Sequence, residues 1–287
     1  MFETFKAKCQ AIKLITRMDK PIGTYLLLWP TFWALWIASD GWPSIHLLVV
    51  FGLGVFIMRS AGCVINDFAD RNIDDQVERT KNRPLVSGIM SKEEAIMLFG
   101  VLIGIALGLV LTLNWHTIFL SVVALLLASS YPFMKRYTHL PQVVLGAAFS
   151  WGMIMAFSEV QGSIPFFAWL LFMANLIWTV AYDTMYAMVD RDDDLTIGVK
   201  STAILFGEND KRIIGFLQLM MLALLLSVGD ILAFGWPYQL SLVVVAGMFV
   251  YQQMLIGERE REKCFQAFLH NHWVGMVIFI GIFIEYL

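Results

Sequence analysis

The sequence predicts an all-α, multi-pass membrane protein with nine transmembrane helices. Of its 287 residues 59% are hydrophobic and only 15% charged, whereas a soluble domain carries roughly a quarter. The apolar residues gather into nine long stretches, most close to the roughly 20 residues that cross a bilayer core as a helix. Nearly all basic residues lie in alternate connections between those stretches. A segment in lipid must satisfy its own backbone, which favours a helical bundle over any open sheet.

The candidate spans lie near 21–38, 46–66, 95–113, 117–134, 143–158, 164–186, 213–229, 237–256 and 272–287. The first follows Lys6, Lys8, Lys13, Arg17 and Lys20. It is too long for a cleaved signal peptide, and no small-residue cleavage site follows it. The second carries Arg59 and Cys63. The third holds Gly100, Gly104 and Gly108 at spacing four, which reads as a helix-packing stripe. The fourth ends in Tyr131-Pro132-Phe133-Met134-Lys135-Arg136, and the sixth runs into a dense acidic segment.

Of the 20 Lys and Arg, all but Arg59 fall in the N-terminal segment or in the loops near 67–94, 135–142, 187–212 and 257–271. The opposite connections, near 39–45, 114–116, 159–163 and 230–236, have none. This bias places the N-terminus and the large loops on the cytoplasmic side. It also supports the count of nine, because one missed span would scramble every later loop.

Several function classes drop out. The net charge is −3 and no basic tail or arginine stripe suggests nucleic acid. Cys9, Cys63 and Cys264 are far apart and read as free thiols rather than a disulfide framework or zinc site. His270 and His272 fall on different helix faces. No H-E-x-x-H, G-x-S-x-G or Walker-type loop occurs. The ten tryptophans and the many phenylalanines read mostly as interfacial belt and lipid-facing bulk, with a few free to steady a cation through their ring faces.

Two acidic clusters carry the chemistry. The first is Asn66-Asp67-Phe68-Ala69-Asp70-Arg71-Asn72-Ile73-Asp74-Asp75; the second runs from Tyr182-Asp183 to Asp190-Arg191-Asp192-Asp193-Asp194. Asp70-Arg71 and Asp190-Arg191 lie 120 residues apart, as in two related halves around a shared site. Residues four and seven apart share a helix face. Asn66, Asp70 and Asp74 therefore form one stripe of oxygen ligands, and Asp183, Asp190 and Asp194 another. Asp67, Asp75, Asp192 and Asp193 point elsewhere and read as supporting or solvated groups. Ionised carboxylates at a bilayer edge are costly without cations, and paired stripes suit Mg²⁺ with phosphate oxygens. The glycine and closing glutamate of an EF-hand are missing. Arg59, two turns deeper than Asn66, reads either as a partner of a nearby aspartate or as a substrate contact. The bases of Arg79-Thr80-Lys81-Asn82-Arg83-Pro84, with Lys135, Arg136 and Lys200, read either as topology signals or as groups neutralising a diphosphate.

The motifs Asn66-Asp67-x-x-Asp70-x-x-x-Asp74 and Asp183-x-x-Tyr186-x-x-x-Asp190-x-x-x-Asp194 resemble those of the UbiA superfamily of intramembrane prenyltransferases. The stretch Arg17-Met18-Asp19-Lys20-Pro21-Ile22-Gly23-Thr24-Tyr25-Leu26-Leu27-Leu28-Trp29-Pro30-Thr31 is similar to the start of its bacterial branch acting on 4-hydroxybenzoate. The resemblance covers the whole chain as one domain, 1–287, with cytoplasmic aspartate-rich loops near 66–94 and 183–212. It implies nine helices around a central cavity open sideways to lipid in a bacterial inner membrane. It implies Mg²⁺ held by Asn66, Asp70, Asp74, Asp183, Asp190 and Asp194, with Asp70, Asp74, Asp190 and Asp194 catalytic. It further implies that Arg59, Arg83 and Lys135 contact the diphosphate or the aromatic acid. The substrates implied are polyprenyl diphosphate and 4-hydroxybenzoate, joined in ubiquinone synthesis. The rivals are a prenyltransferase for naphthoate or haem and, from another class, a cation transporter. A transporter would carry its charges near mid-membrane in broken helices.

Overall fold

The computed structural model describes residues 2–71 and 80–287, and the side chains from Lys6 onward. Asp74, Asp75 and Arg79, named above, lie outside the described residues. Among the described residues the fold is all helix: α1 (Phe2–Ile15), α2 (Ile22–Ala38), α3 (Ile45–Asp70), α4 (Lys92–Val110), α5 (Trp115–Met134), α6 (Pro141–Gln161), α7 (Phe166–Ile197), the short α8 (Thr202–Phe206), α9 (Asp210–Ile231), α10 (Trp236–Leu255) and α11 (Arg261–Glu285). Among the described residues eight helices are long and apolar enough to cross a membrane, and α2 is a shorter ninth apolar helix of 17 residues.

Local chemistry sets the helix ends. The Ser91 hydroxyl accepts from the Glu94 N–H while the Glu94 carboxylate accepts from the Ser91 N–H, a reciprocal cap that starts α4. Asn114 caps α5 by accepting from Thr117 N–H. Pro141 stands in the first turn of α6, where its missing N–H costs nothing. At the end of the bundle away from the basic loops, Glu285 accepts from the N–H groups of Gly235 (2.9 Å) and Tyr238 (3.0 Å) and so satisfies the start of α10.

The two acid-bearing helices are the long ones. At 26 residues α3 reaches about 39 Å, and at 32 residues α7 reaches about 48 Å, against roughly 30 Å of hydrocarbon core. Both continue past the predicted spans, because nothing in Asp67–Asp70 or Ala187–Ile197 breaks a helix. The left-handed Gly198 (φ 72°) finally stops α7.

α7 forms the centre of the bundle, packed on α6, α9 and α11, while α2 packs on α6 and α11. Trp33 of α2 stacks on Trp178 of α7 with ring centroids 5.7 Å apart. Both indoles are fully buried and both N–H groups are satisfied: Trp33 donates to Gly275 O (2.9 Å) and Trp178 to Asn271 Oδ1 (2.8 Å), both on α11. These rings, with Trp36, lock three helices together, so these three tryptophans are core rather than belt. Trp42, Trp115 and Trp236, by contrast, are highly exposed.

Two further expectations change. Gly100, Gly104 and Gly108 lie exposed on α4, and a Cβ at any of them would meet nothing within 4 Å. They form no packing stripe. The N-terminal segment, read as a basic flank, is the helix α1. Its Ala11 and Ile15, four apart, bury against Val64, Met90 and Ala95. Lys8 of α1 bonds Glu94 at 2.6 Å.

Close approach matters at Gly146 on α6. A Cβ there would lie 2.9 Å from the backbone oxygen of Leu176 on α7, and backbone cannot swing aside. One turn on, Ser150 accepts from Asn175 at 2.8 Å across the same contact. Gly146→Ala is therefore expected to destabilise the bundle by about 1–3 kcal/mol, read as an earlier thermal transition of the purified protein in detergent.

Candidate active site

A cavity of about 750 Å³ runs into the bundle from the end that carries the basic loops. Its mouth is polar and charged. Its inner part is apolar, lined among others by Phe51, Val110, Leu113, Phe149 and Met155. α4 and α5 both contribute lining, yet they barely touch each other; α4 leans on α3, and α5 on α6 and α3.

Every described residue of the two predicted ligand stripes borders this cavity: Asn66 and Asp70 from α3, and Asp183, Asp190 and Asp194 from α7. Arg59, Arg83 and Lys135 border it too, as does Lys200. Helical spacing thus brings the described stripe acids to one cavity, where these bases meet them. Among the described residues, however, no three His, Cys, Asp or Glu side chains converge closely enough to hold a metal ion by themselves.

Asp70 is 2% exposed, and Lys135 donates to its Oδ2. Its other oxygen, Oδ1, is buried without a hydrogen-bond partner among the described residues. A buried carboxylate oxygen left this way costs on the order of 1–3 kcal/mol or more. Such an oxygen at the mouth of a polar cavity fits a cation ligand.

Asp67 does something else. It is 1% exposed and so not solvated. Arg17 reaches it with Nη2 at 2.8 Å and 3.0 Å from its two oxygens, and Arg83 Nη1 lies 3.0 Å from Oδ1. Arg17 itself has left-handed backbone (φ 57°), and its Nη1 donates to Leu14 O at the end of α1. Asp67 therefore ties three pieces of chain together: the turn after α1, the end of α3 and the loop bearing Arg83.

The α7 end has its own hub, which sequence reasoning missed. Asp210, fully buried at the start of α9, accepts from Arg191 (3.1 Å) and from Arg259 (2.9 Å). Arg191 also donates to Ala203 O (2.6 Å) and Gly207 O (2.8 Å). The residue after Asp190 is thus clamped to the α8 segment. The hydrogen bonds that Arg259 donates to Asp210 hold its guanidinium above its ordinary pKa. In sequence an aspartate opening a helix reads as an ordinary helix-start acid; only the distant Arg259 distinguishes this one. Asp192 and Asp193 sit outside, both reached by Arg261 at 3.2 Å, in keeping with their supporting role.

The halves also meet at the mouth. Lys200 N–H donates to Lys135 O (3.2 Å), and Arg136 Nη2 donates to Ala69 O (2.5 Å). Chemically the arrangement holds an amphiphile: acids and bases for a polyanionic head with cations at the mouth, hydrocarbon for a tail within.

The fold is a bundle of long apolar helices in which acids from two helices border one cavity with a charged mouth and an apolar interior. The chain belongs to the UbiA prenyltransferase family, whose match covers residues 27–275. It is 77% identical over 287 residues to the 4-hydroxybenzoate octaprenyltransferase of Colwellia psychrerythraea, covering 100% of each chain. It is 58% identical to that of Yersinia enterocolitica, covering 99% of this chain and 98% of the other. Among solved structures it matches the apo UbiA homologue of Aeropyrum pernix K1 with TM-score 0.81, 25% identity, and 92% and 98% of the two chains covered. It shares its fold with the Archaeoglobus fulgidus UbiA homologue bound to GPP and Mg²⁺, at TM-score 0.76 and 17% identity, covering 96% and 99%.

The Asp67 clamp has a measurable weight. Removing one partner of a buried ion pair costs roughly 3–5 kcal/mol, so Asp67→Leu is expected to lower the thermal transition sharply. Replacing Asp67, Arg17 and Arg83 together by apolar residues should recover much of that loss, measured on the same purified protein.

Proposed function

We propose that this chain transfers a polyprenyl group from polyprenyl diphosphate to the ring carbon ortho to the hydroxyl of 4-hydroxybenzoate, releasing diphosphate, in ubiquinone biosynthesis. It does so in the bacterial inner membrane, with the N-terminus and the acidic mouth on the cytoplasmic side, as the one-sided basic loops require. The observation that carries the reading is one continuous cavity whose charged mouth opens into an apolar interior. Full-length likeness to enzymes named for this reaction supports it.

Asn66, Asp70 and Asp74 on one side, and Asp183, Asp190 and Asp194 on the other, would hold Mg²⁺; the partnerless Oδ1 of Asp70 is the feature that fits it best. When bound, the ion supplies positive charge against the diphosphate. Lys135 and Arg83 stand at the same mouth and stabilise charge that grows on the leaving group as the allylic C–O bond breaks, its electron pair going to diphosphate. The apolar interior keeps water from the allylic cation. The phenol-activated ring carbon attacks it, a C–C bond forms, and the ring proton leaves to a site carboxylate or to diphosphate oxygen. α3 and α7 run unbroken through their acids, without the broken helices of a transporter, which speaks against that class.

Asp70→Asn and Asp190→Asn are each expected to lower turnover by about 10²-fold or more while the protein stays inserted. The assay is purified protein with Mg²⁺, labelled polyprenyl diphosphate and a panel of aromatic acids, read by product identity. Near-normal turnover of either variant would overturn the assigned roles, and full turnover with all divalent ions chelated would overturn the use of a metal.

A further inference from the structure

Arg59 stands apart from the other bases of the cavity. Lys135 is engaged by Asp70 and Arg83 by Asp67, both at the mouth. Arg59 lies seven residues before Asn66, about 10 Å deeper along α3. It lines the cavity together with Cys63, Tyr131, Tyr182 and Tyr186. No carboxylate lies within ion-pair distance of it among the described residues. A guanidinium held inside a span without a fixed counter-ion is expensive, and its planar fork matches a pair of anionic oxygens.

What seats this group is Gly23, in the first turn of α2. A Cβ on residue 23 would overlap the guanidinium, with Arg59 Cζ at 2.6 Å and two of its nitrogens closer still. The guanidinium therefore lies in the space that a side chain at residue 23 would fill. This contact differs in kind from Gly146. There the obstacle is backbone and the fold must yield. Here it is the far end of a flexible side chain, so the fold tolerates a methyl group while the charged head is pushed off its seat.

We propose that Gly23 is a positioning and specificity-determining residue: its missing Cβ forms a notch that fixes the Arg59 guanidinium in the cavity as the deep anion seat. The proposal rests on the prenyl-transfer reading, since the anion it serves is supplied by one of those substrates. The shared chemistry is a pair of anionic oxygens, from the carboxylate of the aromatic acid or from the phosphate of the prenyl diphosphate. Gly23 acts through Arg59 and touches no reacting atom.

The test is a double-mutant cycle. Gly23→Ala, Arg59→Met and the double variant are compared with the unaltered chain for thermal stability, KM of each substrate and kcat. Binding of 4-hydroxybenzoate and of geranyl diphosphate is measured separately as a shift in thermal transition, without turnover. Gly23→Ala is expected to keep its thermal transition within a few degrees while raising one KM by about 10- to 100-fold, the weight of a charge-assisted hydrogen bond. A rise confined to 4-hydroxybenzoate assigns the seat to the carboxylate; a rise confined to the prenyl diphosphate assigns it to phosphate. In the Arg59→Met background the Gly23→Ala change should have no further effect. Unchanged binding and KM for both ligands in Gly23→Ala, or an equal effect with and without Arg59, would overturn the proposal. Ligand-induced stabilisation is read even if the unaltered chain fails to join the two substrates, so loss of the proposed function and loss of the notch are separate results.

Discussion

Burial of carboxylates at one end of a membrane bundle is the constraint on which the rest depends. Asp67, Asp70 and Asp210 are all nearly or wholly out of solvent, and an unmatched buried charge costs several kcal/mol. Each is met by a base brought from far along the chain: Asp67 by Arg17 and Arg83, Asp70 by Lys135, Asp210 by Arg191 and Arg259. These pairs cannot form until the helices that carry them are assembled. Charge matching thus specifies which loop covers which helix end, while apolar packing around Trp33 and Trp178 specifies how the helices meet below.

The division of labour among the acids follows from helix geometry. Asp67 and Asp70 are three residues apart but do different work, one as a structural knot and one with a buried oxygen that has no hydrogen-bond partner among the described residues. On α7 the same split appears between Asp190, which borders the cavity, and Arg191, which turns away to Asp210. In both motifs the groups facing the substrate space are held still by their neighbours facing protein.

Much of this was legible in the residues. The nine apolar stretches, the one-sided bases and the four- and seven-residue acidic spacing each follow from periodicity, and the structure places the described members of both stripes at one mouth. What periodicity leaves open is which element covers a given face. It set Asp67 apart from the stripe, but Arg17, which bonds Asp67, is fifty residues away and nothing local points to it. The same holds for Asp210 and Arg259. Trp33 and Trp178 look like any interfacial indole until a facing helix offers a carbonyl or an amide. Gly100, Gly104 and Gly108 have packing spacing without a partner, because spacing describes one helix and packing needs two. α1 escaped notice because, among its described side chains, only Ala11 and Ile15 bury, too little apolar surface to stand out beside five basic residues.

The thinness of the wall near α4 and α5 has one more consequence. Ala106 and Val110 line the cavity, while their chain neighbours Ile105 and Leu111 are exposed. A single layer of side chains thus separates a guest hydrocarbon from the surrounding lipid. Both sides of that partition are equally oily, so a long isoprenoid gains little by choosing one over the other. On the proposed reading the bundle would need only to grip the head of such a molecule, with the remainder left to the bilayer, so that its own size would set no upper bound on the chain it accepts.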